Sequence, residues 1–407
     1  MNFFPFRRQP KEEVNLILEI GSSSIAATIS KISKIDRPEV VYTYREPIPI
    51  EPNRDPKRFA ILTLETLNRV LKRISREGLE HLHFTRFGAG KIRQAHCILS
   101  SPWFASETKR LVMRQDKPFE VTPNLVAKLI EGEESRFLTV EEASDFGEHG
   151  GRQMVKLEKH VIQLKLNGYE TAKPYGKEAD ELALTLFLSV APADLLQKIQ
   201  EMVAREFLGV LPKFHTFTLS SFSALRNIFH SETDFLLVEI GGEVTEIWLV
   251  RDGILHEAVS YPLGGNSLVR AVAKAAGAPN SVAISSIKMH QERLVNSPTE
   301  EVKTPLALKE ANEETKLAWL RQFDSALKRL GANEVLPEKL FLITHEEFME
   351  TLVLWVKSAK FTQFAALEQT FSVKVVSVAD LRQFCRLGKK AQIDPFSILH
   401  TIFLNSL

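Results

Sequence analysis

Cysteine is almost absent from this 407-residue chain, with only Cys97 and Cys385, far apart and in no ligand-like spacing. That excludes a disulfide scaffold and a cysteine-rich metal site, and it suits a reducing, cytoplasmic setting. Net charge is nearly absent too: 52 Lys plus Arg stand against 51 Asp plus Glu, so no overall field favours a nucleic-acid partner. No stretch reaches the roughly 18 uncharged apolar residues of a membrane span, which leaves peripheral membrane association at most. The composition, 44% hydrophobic and 25% charged, is that of a folded globular chain long enough for two domains or more.

What the chain has is a repeated device. Leu16-Ile17-Leu18-Glu19-Ile20-Gly21-Ser22-Ser23-Ser24 and Leu236-Leu237-Val238-Glu239-Ile240-Gly241-Gly242-Glu243-Val244-Thr245 each read as a buried strand, an acid and a tight turn. Apolar segments follow both turns, Ile25 to Ile29 and Ile247 to Val250, so each unit is a β-hairpin. Gly and Ser turns let backbone N–H groups approach an anion, and an acid at the strand end can hold a hydrated divalent cation beside it. Two such hairpins facing each other would clamp the phosphates of a nucleotide.

Around them the pattern is mixed. A Pro-rich connector, Glu46 to Pro52, leads to an amphipathic helix from about Phe59 to Arg76, and Lys91 to Ser100 reads as a strand. An acidic helix over Thr122 to Glu134, a loop over Ser144 to Gly151 and a strand-turn at Lys159 to Tyr169 suggest a small α+β insert. Leu182 to Val190 is a nearly continuous apolar run, expected to return to a parallel sheet buried on both faces, with Asp194 capping the next helix.

The duplicated acid-x-Gly hairpins resemble the phosphate-1 and phosphate-2 loops of the actin, Hsp70 and sugar-kinase superfamily. With the insert, and a second unit ending in Tyr261-Pro262-Leu263-Gly264-Gly265-Asn266, the order resembles the bacterial actin homologues FtsA and PilM, whose insert is called SHS2 or 1C. The resemblance implies a two-lobed α/β, actin-like (ribonuclease H-like, duplicated) fold with a small inserted α+β SHS2 subdomain. It divides the chain into 12–87 and 182–230 for lobe I, 88–181 for the insert and 231–407 for lobe II, with a helical part at about 268–337.

It also implies ATP and Mg as cofactors. Gly21, Ser22, Ser23, Gly241, Gly242, Thr245, Gly264, Gly265 and Lys288 would bind nucleotide, and Glu19 and Glu239 the metal. The chain departs from the family pattern where it matters for that. Both phosphate-loop acids are Glu rather than Asp, Ser285 replaces the acid that precedes Lys288, and His345-Glu346-Glu347 stands where the family has its adenosine-site glycines. Nor is His345-Glu346 a zinc helix, because Met349 occupies the second histidine position. No nucleophile or general-base set is legible, so the expected activity is at most weak ATP hydrolysis.

The resemblance implies a scaffold. In the FtsA reading the chain links a tubulin-like division ring to the membrane division machinery; in the PilM reading it serves type IV pilus assembly. Division or pilus proteins are the implied partners, with self-association into protofilaments and a place at the inner face of the cell membrane. Phe3, Phe4, Phe6, Arg7 and Arg8 suit a bilayer interface, and the apolar stripe of the last helix, Ile398 to Phe403, is expected to pack against the second lobe.

Overall fold

Each hairpin becomes the centre of a sheet. The computed structural model describes residues 12–83, 92–143, 153–296, 306–332, 335–362, 368–388 and 393–407. The expected loop at Ser144 to Gly151 and the N-terminal Phe3 to Arg8 segment lie outside the described residues. In the first sheet, Glu13–Ile20 pairs antiparallel with Ser24–Ile32 and parallel with Gln94–Leu99. In the second, Phe235–Ile240 pairs antiparallel with Thr245–Arg251 and parallel with Lys339–Thr344. Both sheets are therefore a three-strand meander continued by two parallel strands, Glu39–Pro47 and Pro212–Thr216 completing the first, Ile254–Tyr261 and Ser372–Val375 the second. The duplication inferred from two short motifs holds for whole lobes.

The central strands are apolar on both sides because each sheet is covered on both faces. Leu16, Leu18 and Ile20 face the outer helices Pro56–Arg73 and Ala193–Glu206, while Ile17 faces inward. Inward lies a shared layer made of two helices, Phe217–Ile228 and Pro395–Ser406. Phe217, Phe396, Leu399 and Phe403 pack there with Ile98 of the first sheet and Leu237, Trp248 and Phe341 of the second. Helices apolar on nearly every side are buried ones, and these two join the lobes through one core.

The last helix meets both lobes. It packs with Leu237, Trp248 and Phe341 of the second, as expected, and also on the first-lobe strands Ser24–Ile32 and Glu39–Pro47, where Arg386–Leu387 pairs with the sheet edge. Leu182 to Val190 does not enter a parallel sheet. It lies within Glu178–Pro192, the central strand of a separate antiparallel sheet between Ala105–Glu120 and Met154–Leu166, so the insert's sheet runs past 181 to Pro192. Its apolar run has another cause: Leu182, Leu184, Leu186, Leu188 and Val190 face the insert's own core beneath helix Pro123–Ala143, while Phe187 and Ala191 face the main body. Asp194 sits in the first turn of the next helix, whose cap is Pro192.

One buried carboxylate seats the insert on lobe I. Glu158, 6% exposed, accepts from the Thr216 backbone N–H and hydroxyl, both at 2.7 Å, and contacts His215 Nδ1 at 3.0 Å. His215 in turn meets His96 at 3.0 Å. Glu158→Ala leaves buried donors without an acceptor and is expected to cost about 2–4 kcal/mol. Urea unfolding reads the loss, and protease cleavage at the joints of the insert should accelerate.

Candidate functional site

The two turns share one local geometry. Gly21 N–H donates to Ser24 O at 3.2 Å, and Gly241 N–H to Val244 O at 3.0 Å, each two residues after its acid. They lie directly against each other. A Cβ on Gly242 would stand 2.7 Å from both Ser22 O and Ser23 Cα, and one on Gly241 2.9 Å from Ser22 Oγ. Ser22 Oγ accepts the Glu243 backbone N–H at 3.1 Å.

Behind the second turn the stacking continues. Gly264 caps helix Gly265–Ala276, and a Cβ on it would come within 2.4 Å of Gly241 O. Gly265 N–H and Asn266 N–H donate to Gly241 O and Gly242 O at 2.9 and 2.8 Å. Free N–H groups at a helix start form a ready anion site, but these are spent on carbonyls of the neighbouring turn. A Cβ on Gly265 would meet the Phe348 ring at 2.6 Å. Thr245 is committed as well: its hydroxyl donates to Leu263 O at 2.6 Å and accepts from Trp319 Nε1 at 3.0 Å.

The acids have partners of their own. Arg45, on the strand Glu39–Pro47, holds Glu19 with two bonds of 3.0 and 2.7 Å, Asp394 through Nε at 2.9 Å, and Ser24 Oγ at 2.8 Å. Burial by itself would lower the Arg45 pKa, and the Asp394 and Glu19 charges raise it instead. Against the upward push of burial, Arg45 and the Ser397 N–H that Asp394 caps hold the Asp394 carboxyl below its usual range. His400 Nε2 lies 3.7 Å from Glu19, and burial presses its pKa down to about 3. His345 stacks on Phe396 at 4.5 Å, its pKa lowered to about 4 by burial and by Arg45.

Glu239 is the opposite case. Burial, with Glu246 and Glu19 nearby, pushes its carboxyl well above the usual range. Glu246 accepts from Ser101 Oγ at 2.7 Å, and burial raises it to about 7. Lys288 is exposed on helix Asn280–Asn296 and is not drawn into this cluster, and Ser285 bonds back to Ser281 O.

Across the mouth of the cleft, the connector of lobe I is latched to lobe II. Glu243 and Asn266 bond at 2.8 Å, and Glu243 pairs with Arg270 through both carboxylate oxygens. Arg270 also reaches Glu51 O, Arg54 reaches Ser267 Oγ at 2.9 Å, Asn280 reaches Ile50 O, and Ile50 packs against the lobe II core. A cavity of about 640 Å³ remains beside the turns, with Phe59, Pro102, Phe104, Val244 and Pro262 among its walls.

These residues do not fit a Mg–nucleotide in this arrangement. The turns that would flank the phosphates touch, one acid is paired with an arginine, and burial beside two other carboxyls disfavours charge on the other. Among the described residues no group of three or more His, Cys, Asp or Glu is placed to hold a metal ion. Sequence reasoning found both turns and missed Arg45, Asp394, Glu246 and the Glu243–Arg270 pair, which carry no local signature; the Asp394-Pro395 helix start was the one readable trace.

Two outcomes follow from the charges. Arg45→Met should cost about 3–5 kcal/mol, because it strands Glu19 and Asp394 without their cation; chemical denaturation measures it. Glu246 holds its proton longer when folded, so its contribution to stability falls as pH rises from 4.5 to about 7. Glu246→Gln should therefore unfold at a higher temperature than the parent above that window, by up to about 3 kcal/mol, and show little gain below it.

No family model matches the sequence. No curated protein matches it either. Solved structures do. A chain of the PilM-PilN type IV pilus biogenesis complex superposes with a TM-score of 0.62 at 15% identity, covering 97% of this chain and 98% of that one. The ethanolamine utilization protein EutJ from Carboxydothermus hydrogenoformans gives 0.41 at 10% identity over 98% and 90% of the two chains. A Bacteroides thetaiotaomicron protein with actin-like ATPase fold and unknown function gives 0.40 at 10% over 88% and 91%. The first match, the duplicated sheet order and the paired turns agree: this chain has a two-lobed, actin-like α/β fold carrying a small α+β insert.

Proposed function

We propose that the chain is a PilM-like scaffold of pilus assembly, working through protein contacts and not through nucleotide turnover. The observation that supports the non-catalytic part is the close contact of Gly242 on Ser22 and Ser23, which leaves no gap between the two turns for a phosphate chain. A kinase or fast ATPase needs that space and a positioned catalytic acid; here Glu19 is engaged by Arg45, and burial disfavours charge on Glu239. A scaffold needs only a rigid body with stable faces.

The pilus reading is favoured over the division-scaffold reading because the structure matched over nearly the whole of both chains comes from a PilM–PilN complex. The partner class is then a pilus-assembly protein, and the insert is a candidate contact surface. No described helix is long and apolar enough to cross a membrane, so the partner would supply any span.

Two measurements test the two halves. Titration of Mg-ATP into the chain should give no binding heat, and rapid ATP turnover abolished by Glu19→Ala would overturn the closed-cleft reading. Co-expression with PilN-type proteins should yield a co-purifying complex, and co-purification with a tubulin-like division protein instead would move the assignment to cell division.

A further inference from the structure

The far end of the first sheet, opposite the turns, exposes a set of aliphatic side chains that no core claims. Leu208 is 98% exposed, Leu211 65% and Ile35 74%. Leu208 and Leu211 belong to the loop between helix Ala193–Glu206 and the strand Pro212–Thr216, and Ile35 to the turn between Ser24–Ile32 and Glu39–Pro47. Both connections leave the sheet at the same end: Glu13 pairs with Ile32, Asn15 with Gln94, and Ala95 with Pro212. Three strand steps separate them, roughly 15 Å at the usual strand spacing. Single exposed aliphatics are ordinary, but several sharing one end of a sheet are not.

Leu208 is also held at a cost. Its φ is +48°, the left-handed position just past a helix end that proteins usually give to glycine, and Gly209 follows at +83°. A fully exposed leucine in that conformation gains nothing for the fold.

The charges around it have one sign to spare. Glu12 and Asp36 contact Arg386, and Glu39 contacts Lys31. Those pairs leave Lys34, Arg37, Arg93, Lys213 and Arg382 exposed around the same end.

We infer that this end of lobe I docks on an anionic lipid surface, the leucines and isoleucine entering the interface and the surplus cations meeting the headgroups. Aliphatic tips ringed by Lys and Arg are what such a surface binds: apolar burial adds to attraction that salt screens. This holds whichever assembly the chain serves.

The test is flotation of the full chain with vesicles containing phosphatidylglycerol, against vesicles of phosphatidylcholine alone. The chain should float with the first, not with the second, and be released by salt. Leu208→Gly separates binding from folding: glycine takes the positive φ freely, so its melting temperature should hold or rise, while the vesicle-bound fraction falls at least about threefold. Arg93→Glu with Lys213→Glu should lower it as well. The inference is overturned if the parent does not float with phosphatidylglycerol, if either variant binds like the parent, or if Leu208→Gly loses a protein partner and not the vesicles.

Discussion

Arg45 is the constraint from which the rest follows. Its guanidinium is shared by Glu19 at the end of the first central strand, Asp394 at the start of the last helix and Ser24 in the first turn. Pairing charges at this depth is close to break-even: a contact near 4 Å returns about 4 kcal/mol at an effective dielectric of 20, and each desolvated ion costs several. The gain is geometric. Asp394 must point at Arg45 while capping the helix through Ser397, which fixes where Phe396 and His400 enter the layer between the lobes. One cation already answers Glu19, and no bound metal is required to keep it buried.

The stacked turns complete that constraint from the other lobe. Ser22, Gly242 and Gly264 lie in successive contact, each glycine needed because a neighbouring backbone occupies the place of a Cβ. The same glycines that would let a phosphate approach a loop let two loops approach one another. Here the second use is the one realised, and the Glu243–Arg270 pair with the Ile50 connector holds it closed.

The sequence made the fold readable where the information is local. Acid, glycine turn and flanking apolar strand recur within a dozen residues, and both copies formed the predicted hairpins with equivalent pairing. What it hid was long-range. Arg45 and Asp394 stand 349 positions apart, and neither belongs to a motif. Leu182 to Val190 looked like a strand of a doubly covered parallel sheet because burial on both faces leaves the same mark whichever elements supply the cover. The last helix showed its apolar character, but a stripe does not say that it meets both lobes at once.

Open α/β sheets ordinarily bind ligands at the carboxyl ends of their parallel strands. In this chain that end is occupied by its own side chains: Glu239 buried beside Glu246, Glu19 with an arginine, Ser101 on Glu246. Apolar area left exposed lies elsewhere, at the far end of the first sheet. There Leu208 accepts both full exposure and a left-handed backbone, a double cost that the packing of the folded chain does nothing to repay. A locked centre and an unsatisfied edge are two sides of one arrangement, in which the glycine turns of the two lobes close on each other while Leu208 stays exposed at the far end.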